Sequence, residues 1–121
     1  MTETEFTLNW VTIPQWHTAR LVGFSKRIGL IRARLNNEIM FIGYTTSISG
    51  GGLGGRISAY RSPKGTGQKH HAGRQIYGHR DVIEMQIAVL DLPAHEIERG
   101  AKSLIRKHEP KWNVPPDRYP H

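Results

Sequence analysis

Two short apolar segments joined by a pair of asparagines constrain the fold of this chain more than any other feature. Their aliphatic, β-branched and aromatic residues favour strands, which we predict over Ile28–Leu35 and Ile39–Tyr44. Asn36 and Asn37 lie between the two segments. Asparagine tolerates positive φ, so the pair predicts a tight turn and the whole stretch predicts a β-hairpin.

A glycine-rich bend follows the hairpin and leads into a predicted helix. The bend spans Ser49–Gly55, and the helix is expected to begin at Leu53 or Gly55 and to end at Arg61, before Pro63. Arg56 and Tyr60 are four residues apart and therefore share one face of this helix. The glycines predict a sharp change of chain direction just before the arginine.

The rest of the chain predicts a small mixed domain. A short second helix is expected over Ala72–Tyr77, a third strand over Val82–Leu92, and a final helix after Pro93. Ile97, Ala101, Leu104 and Ile105 form the apolar stripe of that last helix. We predict one α/β (α+β) domain over residues 1–121, with a small three-stranded sheet flanked by helices. Its expected parts are an N-terminal extension packed on the core (1–27), the core (28–114) and a proline-rich tail (115–121).

Positive charge is unevenly distributed along the chain. The net charge is +7, and no acidic residue occurs between Glu38 and Asp81. A basic surface of this kind favours an anionic partner, most often nucleic acid, although a solvated basic face is the alternative. The residues expected to contact phosphates are Arg32, Arg34, Arg56, Lys64, Lys69, His70 and Arg74.

Several protein classes are disfavoured by what the sequence lacks. There is no cysteine, which excludes disulfides and thiolate chemistry. No apolar run is long enough for a membrane span, and the first residues, Met1–Glu5, lack the pattern of a signal peptide. We therefore expect a cytoplasmic protein that does not enter a membrane.

Two motifs on the hairpin and one near the C-terminus resemble a known family. Gly29-Leu30-Ile31 and Phe41-Ile42-Gly43 resemble the paired strand motifs of the GIY-YIG nuclease superfamily, and Arg56 lies where that family has an arginine on the next helix. The segment Leu104–Asn113 resembles the family's closing pattern of helix, proline and asparagine. The resemblance implies a GIY-YIG-like fold over most of the chain.

The resemblance also implies a chemistry. Such enzymes hydrolyse a phosphodiester with one divalent metal held by a glutamate of the last helix, while a hairpin tyrosine helps prepare the water and the arginine steadies the phosphate. This sequence departs from that pattern. Ile31 and Phe41 stand where the family has tyrosines, and Ala101 stands at the glutamate position. A two-residue turn would place Ile31 and Phe41 on opposite faces of the hairpin, whereas a bulge would bring them together.

Three functions remain open from the sequence. The first is a nucleic-acid-binding protein, with duplex or branched DNA as partner, in which the nuclease site is degenerate and no cofactor is needed. The second is an active Mg²⁺- or Mn²⁺-dependent endonuclease with a relocated site. Its catalytic residues would be Arg56, Tyr44, Tyr60 and Glu98, with Glu98 as metal ligand. The third is a protein-interaction module whose basic face binds an acidic protein.

Overall fold

The computed structural model describes residues 8–62 and 70–113. Lys64 and Lys69, two of the expected phosphate contacts, lie outside these ranges. The strands are β1 (Val11–Thr12), β2 (Gly29–Leu35), β3 (Glu38–Thr45) and β4 (Glu84–Val89). The helices are α1 (Gly52–Arg61), α2 (His71–Gly78) and α3 (Ala94–His108), with one 3-10 turn at Val22–Phe24.

The four strands form one antiparallel sheet in the order β1-β4-β2-β3. The predicted α+β class is confirmed, but the sheet has four strands among the described residues instead of three. The additional strand, β1, consists of two residues, of which Val11 pairs with Ile87. So short a strand has no periodicity of its own in the sequence and depends on its neighbour β4 for its hydrogen bonds.

The hairpin has both the tight turn and a bulge. Asn36 and Asn37 take φ values of 51° and 67°, as a two-residue hairpin turn requires. The register then shifts, so that Leu35 faces Glu38 but Ala33 faces Phe41. The extra residue on β3 changes which side chains share a face. Ile31 and Phe41 consequently lie in the same apolar cluster, which resolves the register that the sequence left open.

Apolar clusters cover both faces of the sheet. On the face towards α1 and α2, the larger cluster contains Ile31 and Phe41 with Ile57 and Ile76 of the helices. On the opposite face, the second cluster consists of Leu30, Ile42, Ala88, Leu90, Ile97, Ala101 and Leu104, the last three from α3. The apolar stripe predicted for the last helix is therefore the face that α3 packs on the sheet.

The outer edge of β3 is covered by the segment after α3. The carboxamide of Asn113 accepts a hydrogen bond from the Ile42 N–H (3.0 Å) and donates one to the Ile42 carbonyl oxygen (2.8 Å). The Trp112 N–H donates to the Met40 carbonyl oxygen at 2.8 Å. These bonds satisfy edge groups that would otherwise be open to pairing with another chain. No helix in the described residues is long and apolar enough to cross a membrane.

Candidate nucleic-acid interface

An open cavity of about 500 Å³ lies between the end of β3 and the start of α1. Its wall is polar and carries the guanidinium of Arg56 together with several hydroxyl groups. These hydroxyls belong to Tyr44, Thr45, Thr46, Ser47 and Ser49. Among the described residues, the Oγ1 atom of Thr45 is buried and has no hydrogen-bond partner. One cation surrounded by hydroxyl groups suits an oxygen-rich anion.

The glycine-rich bend directs the N-terminus of α1 towards this cavity. Gly52, the first residue of the helix, has a φ of 58°. A Cβ on Gly52 would lie only 2.6 Å from the Arg27 carbonyl oxygen, so only glycine fits here without displacing the backbone. Gly52 and Gly55 both line the cavity. The positive end of the helix dipole therefore lies beside the same space as the arginine.

Arg56 is held in place by Tyr60, one turn further along α1. The Nε–H of Arg56 donates to the Tyr60 hydroxyl oxygen at 2.9 Å, while the arginine side chain remains exposed. The Tyr60 ring is buried edge-on against Phe41, with ring centroids 5.5 Å apart. Burial raises the pKa of Tyr60, although the nearby Arg56 charge acts in the opposite direction. Tyr60 is therefore a neutral support for Arg56 at ordinary pH.

Tyr44 links this cavity to α3. Its side chain lines the cavity and also packs with the apolar cluster beneath α3. Its hydroxyl lies beside Glu98, whose Oε1 lies 2.8 Å from Lys102 Nζ. The Lys102 ammonium, with a smaller contribution from Tyr44, lowers the pKa of Glu98. Glu98 is thus an ionised carboxylate that already has a cationic partner.

The described residues contain no cluster of side-chain ligands for a divalent cation. No group of three or more histidine, cysteine or acidic side chains lies close enough together in ranges 8–62 and 70–113 to hold a metal. Ala101 is buried on the face of α3 that packs on the sheet, and Glu98 is paired with Lys102. Mg²⁺ can be bound by one carboxylate together with waters and substrate phosphates, and Glu98, the carboxylate beside the cavity, is paired with a lysine instead.

Arg32 and Arg34 lie on the opposite face of the sheet from α1. The Arg32 guanidinium stacks on the Trp10 ring at 4.2 Å, and its Nε–H donates to Gln86 Oε1 at 2.5 Å. Partial burial is the main cause that lowers the pKa of Arg32. Arg34 forms an ion pair with Glu84 at 3.2 Å. Both arginines already have partners within the protein and are not brought together with Arg56.

The remaining expected phosphate contacts, His70 and Arg74, lie at the start of α2 and on its surface. His70 is exposed and immediately precedes the helix, and Arg74 is exposed on its surface. Since α2 packs beside α1, both residues lie on the same side of the sheet as Arg56.

The structure also reveals side chains of the candidate site that were not predicted from the sequence. The hydroxyls between Thr45 and Ser49 form one wall of the cavity, and Lys102 neutralises Glu98. In the sequence, the cluster of hydroxyl residues directly after the second predicted strand was a visible signal for the cavity wall. The spacing of four residues between Glu98 and Lys102 favours an ion pair on a helix, so it was the signal for the neutralisation of Glu98.

Comparison with known proteins identifies the fold. No protein family matches the chain, and none of the curated proteins is similar to it. Among solved structures, the chain is similar to the GIY-YIG N-terminal endonuclease domain of UvrC from Thermotoga maritima, there a tyrosine-to-phenylalanine point mutant bound to the catalytic divalent cation. The TM-score is 0.54 at 19% identity, over 78% of this chain and 91% of that one. The fold is therefore GIY-YIG-like, which confirms the resemblance at the level of fold.

Proposed function

We propose that this GIY-YIG-like fold serves as a nucleic-acid-binding domain in which the cleavage site is degenerate, and that its partner is DNA, duplex or branched. The observation that carries the proposal is the contrast between two sets of positions. Arg56 is present, exposed and held by Tyr60 beside an open polar cavity. The positions that resemble those of the catalytic tyrosines and glutamate hold Ile31, Phe41 and Ala101, which are 0%, 5% and 0% exposed.

The groups around the cavity suit a phosphate. Arg56 offers the terminal nitrogens of its guanidinium beyond the bond to Tyr60, and the start of α1 adds the positive end of a helix dipole. The hydroxyls of Thr46, Ser47 and Ser49 in the wall supply further hydrogen bonds to phosphate oxygens. These groups recognise the backbone and not the bases, so binding is expected to depend on salt and only weakly on sequence.

Nothing around the cavity supplies the chemistry of hydrolysis under this proposal. Ile31 and Phe41 cannot exchange a proton, and Tyr60 remains protonated because its pKa is raised. No group of three or more histidine, cysteine or acidic side chains lies close together in the described residues. The protein would therefore hold DNA without cutting it. A cytoplasmic location belongs to the same proposal, supported by the absence of cysteine.

The test is the affinity of the Arg56→Ala variant for labelled duplex and branched DNA at about 50 mM salt, a concentration at which electrostatic binding is strong. Loss of one charge-assisted phosphate contact should weaken binding about tenfold. The control is Lys111→Ala, which removes an exposed cation paired with Glu38 at the far end of the hairpin. Equal affinity of Arg56→Ala and wild type would remove Arg56 from the interface. An absence of any DNA binding would overturn the proposal and favour an acidic protein partner.

A second candidate, a relocated endonuclease, is favoured by one contact. Tyr44 and Glu98, which the sequence suggested as catalytic residues, lie next to each other, and Tyr44 lines the cavity. This candidate requires nicking of supercoiled DNA with Mg²⁺ or Mn²⁺ that the Glu98→Gln variant lacks. We expect no nicking with either metal, because Lys102 occupies the carboxylate. Metal-dependent nicking that depends on Glu98 would replace the binding function with this one.

A further inference from the structure

The outward face of α3 carries a row of cationic side chains that the proposed function has not yet used. His95, Arg99, Lys102 and Arg106 follow one another at spacings of four, three and four residues, and all are exposed. At 3.6 residues per turn they lie within about 60° around the helix axis. This row, called here the α3 basic row, points away from the buried face of the helix, which contains Ile97, Ala101 and Leu104.

The α3 basic row has a surplus of positive charge. Glu98 is the acidic side chain at the margin of the row, and it already pairs with Lys102 at 2.8 Å. Arg99 and Arg106 form no hydrogen bond or ion pair with another residue in the described part of the chain. The charge of Arg106 opposes the protonated form of Lys102, although the stronger influence of Glu98 raises the pKa of that lysine. Like charges this close favour an external anion.

The shape of this surface also suits a ligand. The side chains of the row and Glu98 surround a shallow concave region of about 210 Å³. From His95 to Arg106 the helix rises about 16 Å, which corresponds to about five base steps of duplex at 3.4 Å each. A helix of this length offers charge to several successive phosphates.

Tyr44 connects the row with the cavity at α1. It lines the cavity next to Arg56 on one side, and its hydroxyl lies beside Glu98 on the other. Glu98 in turn contacts Lys102 of the row. Arg56 and the α3 basic row are therefore joined by a chain of neighbouring side chains around the end of β3, although α1 and α3 pack on opposite faces of the sheet.

We propose that the α3 basic row is a second phosphate-binding surface for the same DNA, so that the nucleic acid passes from the Arg56 cavity around Tyr44 and along α3. This inference rests on the proposed function and extends it. The DNA would contact both sides of the protein at the end of the sheet. Each arginine of the row that contacts a phosphate releases counterions on binding and contributes to the salt dependence.

The experiment is a salt titration of DNA binding with the double variant Arg99→Gln/Arg106→Gln. Both positions are exposed, glutamine is a good helix former, and the Glu98–Lys102 pair is left intact. If both arginines contact phosphates, the slope of log Kobs against log[salt] should become less steep by about 2, at about 0.9 for each contact. The matched control, Lys111→Gln, should leave the slope unchanged. Arg99→Lys/Arg106→Lys should restore it, because charge and not shape is needed.

The outcomes separate this inference from the proposed function. Absence of DNA binding by the wild type would overturn both. If the wild type binds and Arg56→Ala weakens it, while the glutamine variant keeps the full slope, only the role of the α3 basic row is wrong. Circular dichroism of the glutamine variant checks that the helix is retained, and the lysine variant provides the second measurement if it is not. A reduced slope that the lysine variant fails to restore would also contradict the inference.

Discussion

Arg56 depends on one hydrogen bond for its position. Its Nε–H donates to the hydroxyl of Tyr60, and the tyrosine ring is fixed against Phe41 in the core. A long flexible side chain is thereby held in one orientation while its charge remains exposed, which reduces the entropy that phosphate binding costs. Phe41, at a position where the resemblance implies a tyrosine, here acts as a packing surface for the residue that supports the arginine.

We predict that Tyr60→Phe changes the pH dependence of stability. Because the pKa of Tyr60 is raised in the folded protein, the folded state keeps its phenol proton at pH values where the unfolded state loses it. The contribution of the protonated Tyr60 phenol to stability is complete below the pKa of about 10 in the unfolded state. It is lost as pH rises through the higher pKa in the folded state. The free energy of unfolding of Tyr60→Phe should be lower by about 1 kcal/mol near neutral pH, the value of one hydrogen bond. Above about pH 10 it should decline less steeply with pH than that of the wild type.

Urea unfolding of both proteins between neutral and alkaline pH measures this difference. Tyr77→Phe is the matched control, since Tyr77 is only half-buried and its ring contacts the half-buried Arg80 guanidinium at 4.2 Å. Parallel stability curves for wild type and Tyr60→Phe would contradict the effect of burial on Tyr60.

The outer edge of β3, which pairs with no other strand in ranges 8–62 and 70–113, lies next to both the cavity and the segment after α3. One end of this strand leads to the cavity, and its centre is covered by the segment after α3 through Asn113. The carboxamide presents a donor and an acceptor to the backbone of Ile42, as a neighbouring strand would do. The asparagine of the closing motif therefore has a structural explanation: it completes the sheet where no fifth strand follows in the described chain.

We predict that Asn113→Ala destabilises the protein by about 2 kcal/mol, because two hydrogen bonds are lost and the Ile42 amide and carbonyl are left without partners. The midpoint of urea unfolding should fall while its slope remains constant. Lys111→Ala, two residues away and exposed, should change stability by less than about 0.5 kcal/mol. An Asn113→Ala variant as stable as this control would show that the covering segment contributes little.

At the scale of the whole molecule, cations and not carboxylates dominate the proposed interface. Arg56 lies on one side of Tyr44, and Lys102 neutralises the one carboxylate on the other side. The net charge of +7 provides the long-range attraction for a polyanion. A nuclease site requires the reverse arrangement, with carboxylate oxygens left open for a metal.

We predict that divalent cations do not strengthen DNA binding. Mg²⁺ or Mn²⁺ should instead weaken it, because they compete with the protein for phosphates and find no cluster of three or more ligands among the described residues. The measurement is DNA affinity with chelator and with each metal at matched ionic strength. Calorimetric titration of the free protein with Mn²⁺ should give no saturable heat. A metal-dependent gain in affinity would reveal a cation site and contradict the prediction.

The sequence by itself determined the parts of this protein that depend on neighbouring residues. Asn36 and Asn37 predicted the turn because left-handed backbone is a local property, and the spacing of Ile97, Ala101 and Leu104 predicted which face of α3 is buried. The α3 basic row was not predicted, although the spacing of its residues on the opposite face of the same helix is visible in the sequence. The motifs on the hairpin, taken together with Arg56 and the closing segment Leu104–Asn113, predicted the fold that the comparison confirms.

Only the tertiary structure decided which side chains meet across elements. The bulge in β3 brought Ile31 and Phe41 into one cluster, and pairing with β4 and packing beside Trp10 gave Arg32 and Arg34 partners within the protein. The contact between Tyr44 and Glu98 likewise joins residues that are distant in sequence. Such contacts depend on strand register and on how helices pack over the sheet. These are set by the summed burial of many side chains and by no single local pattern.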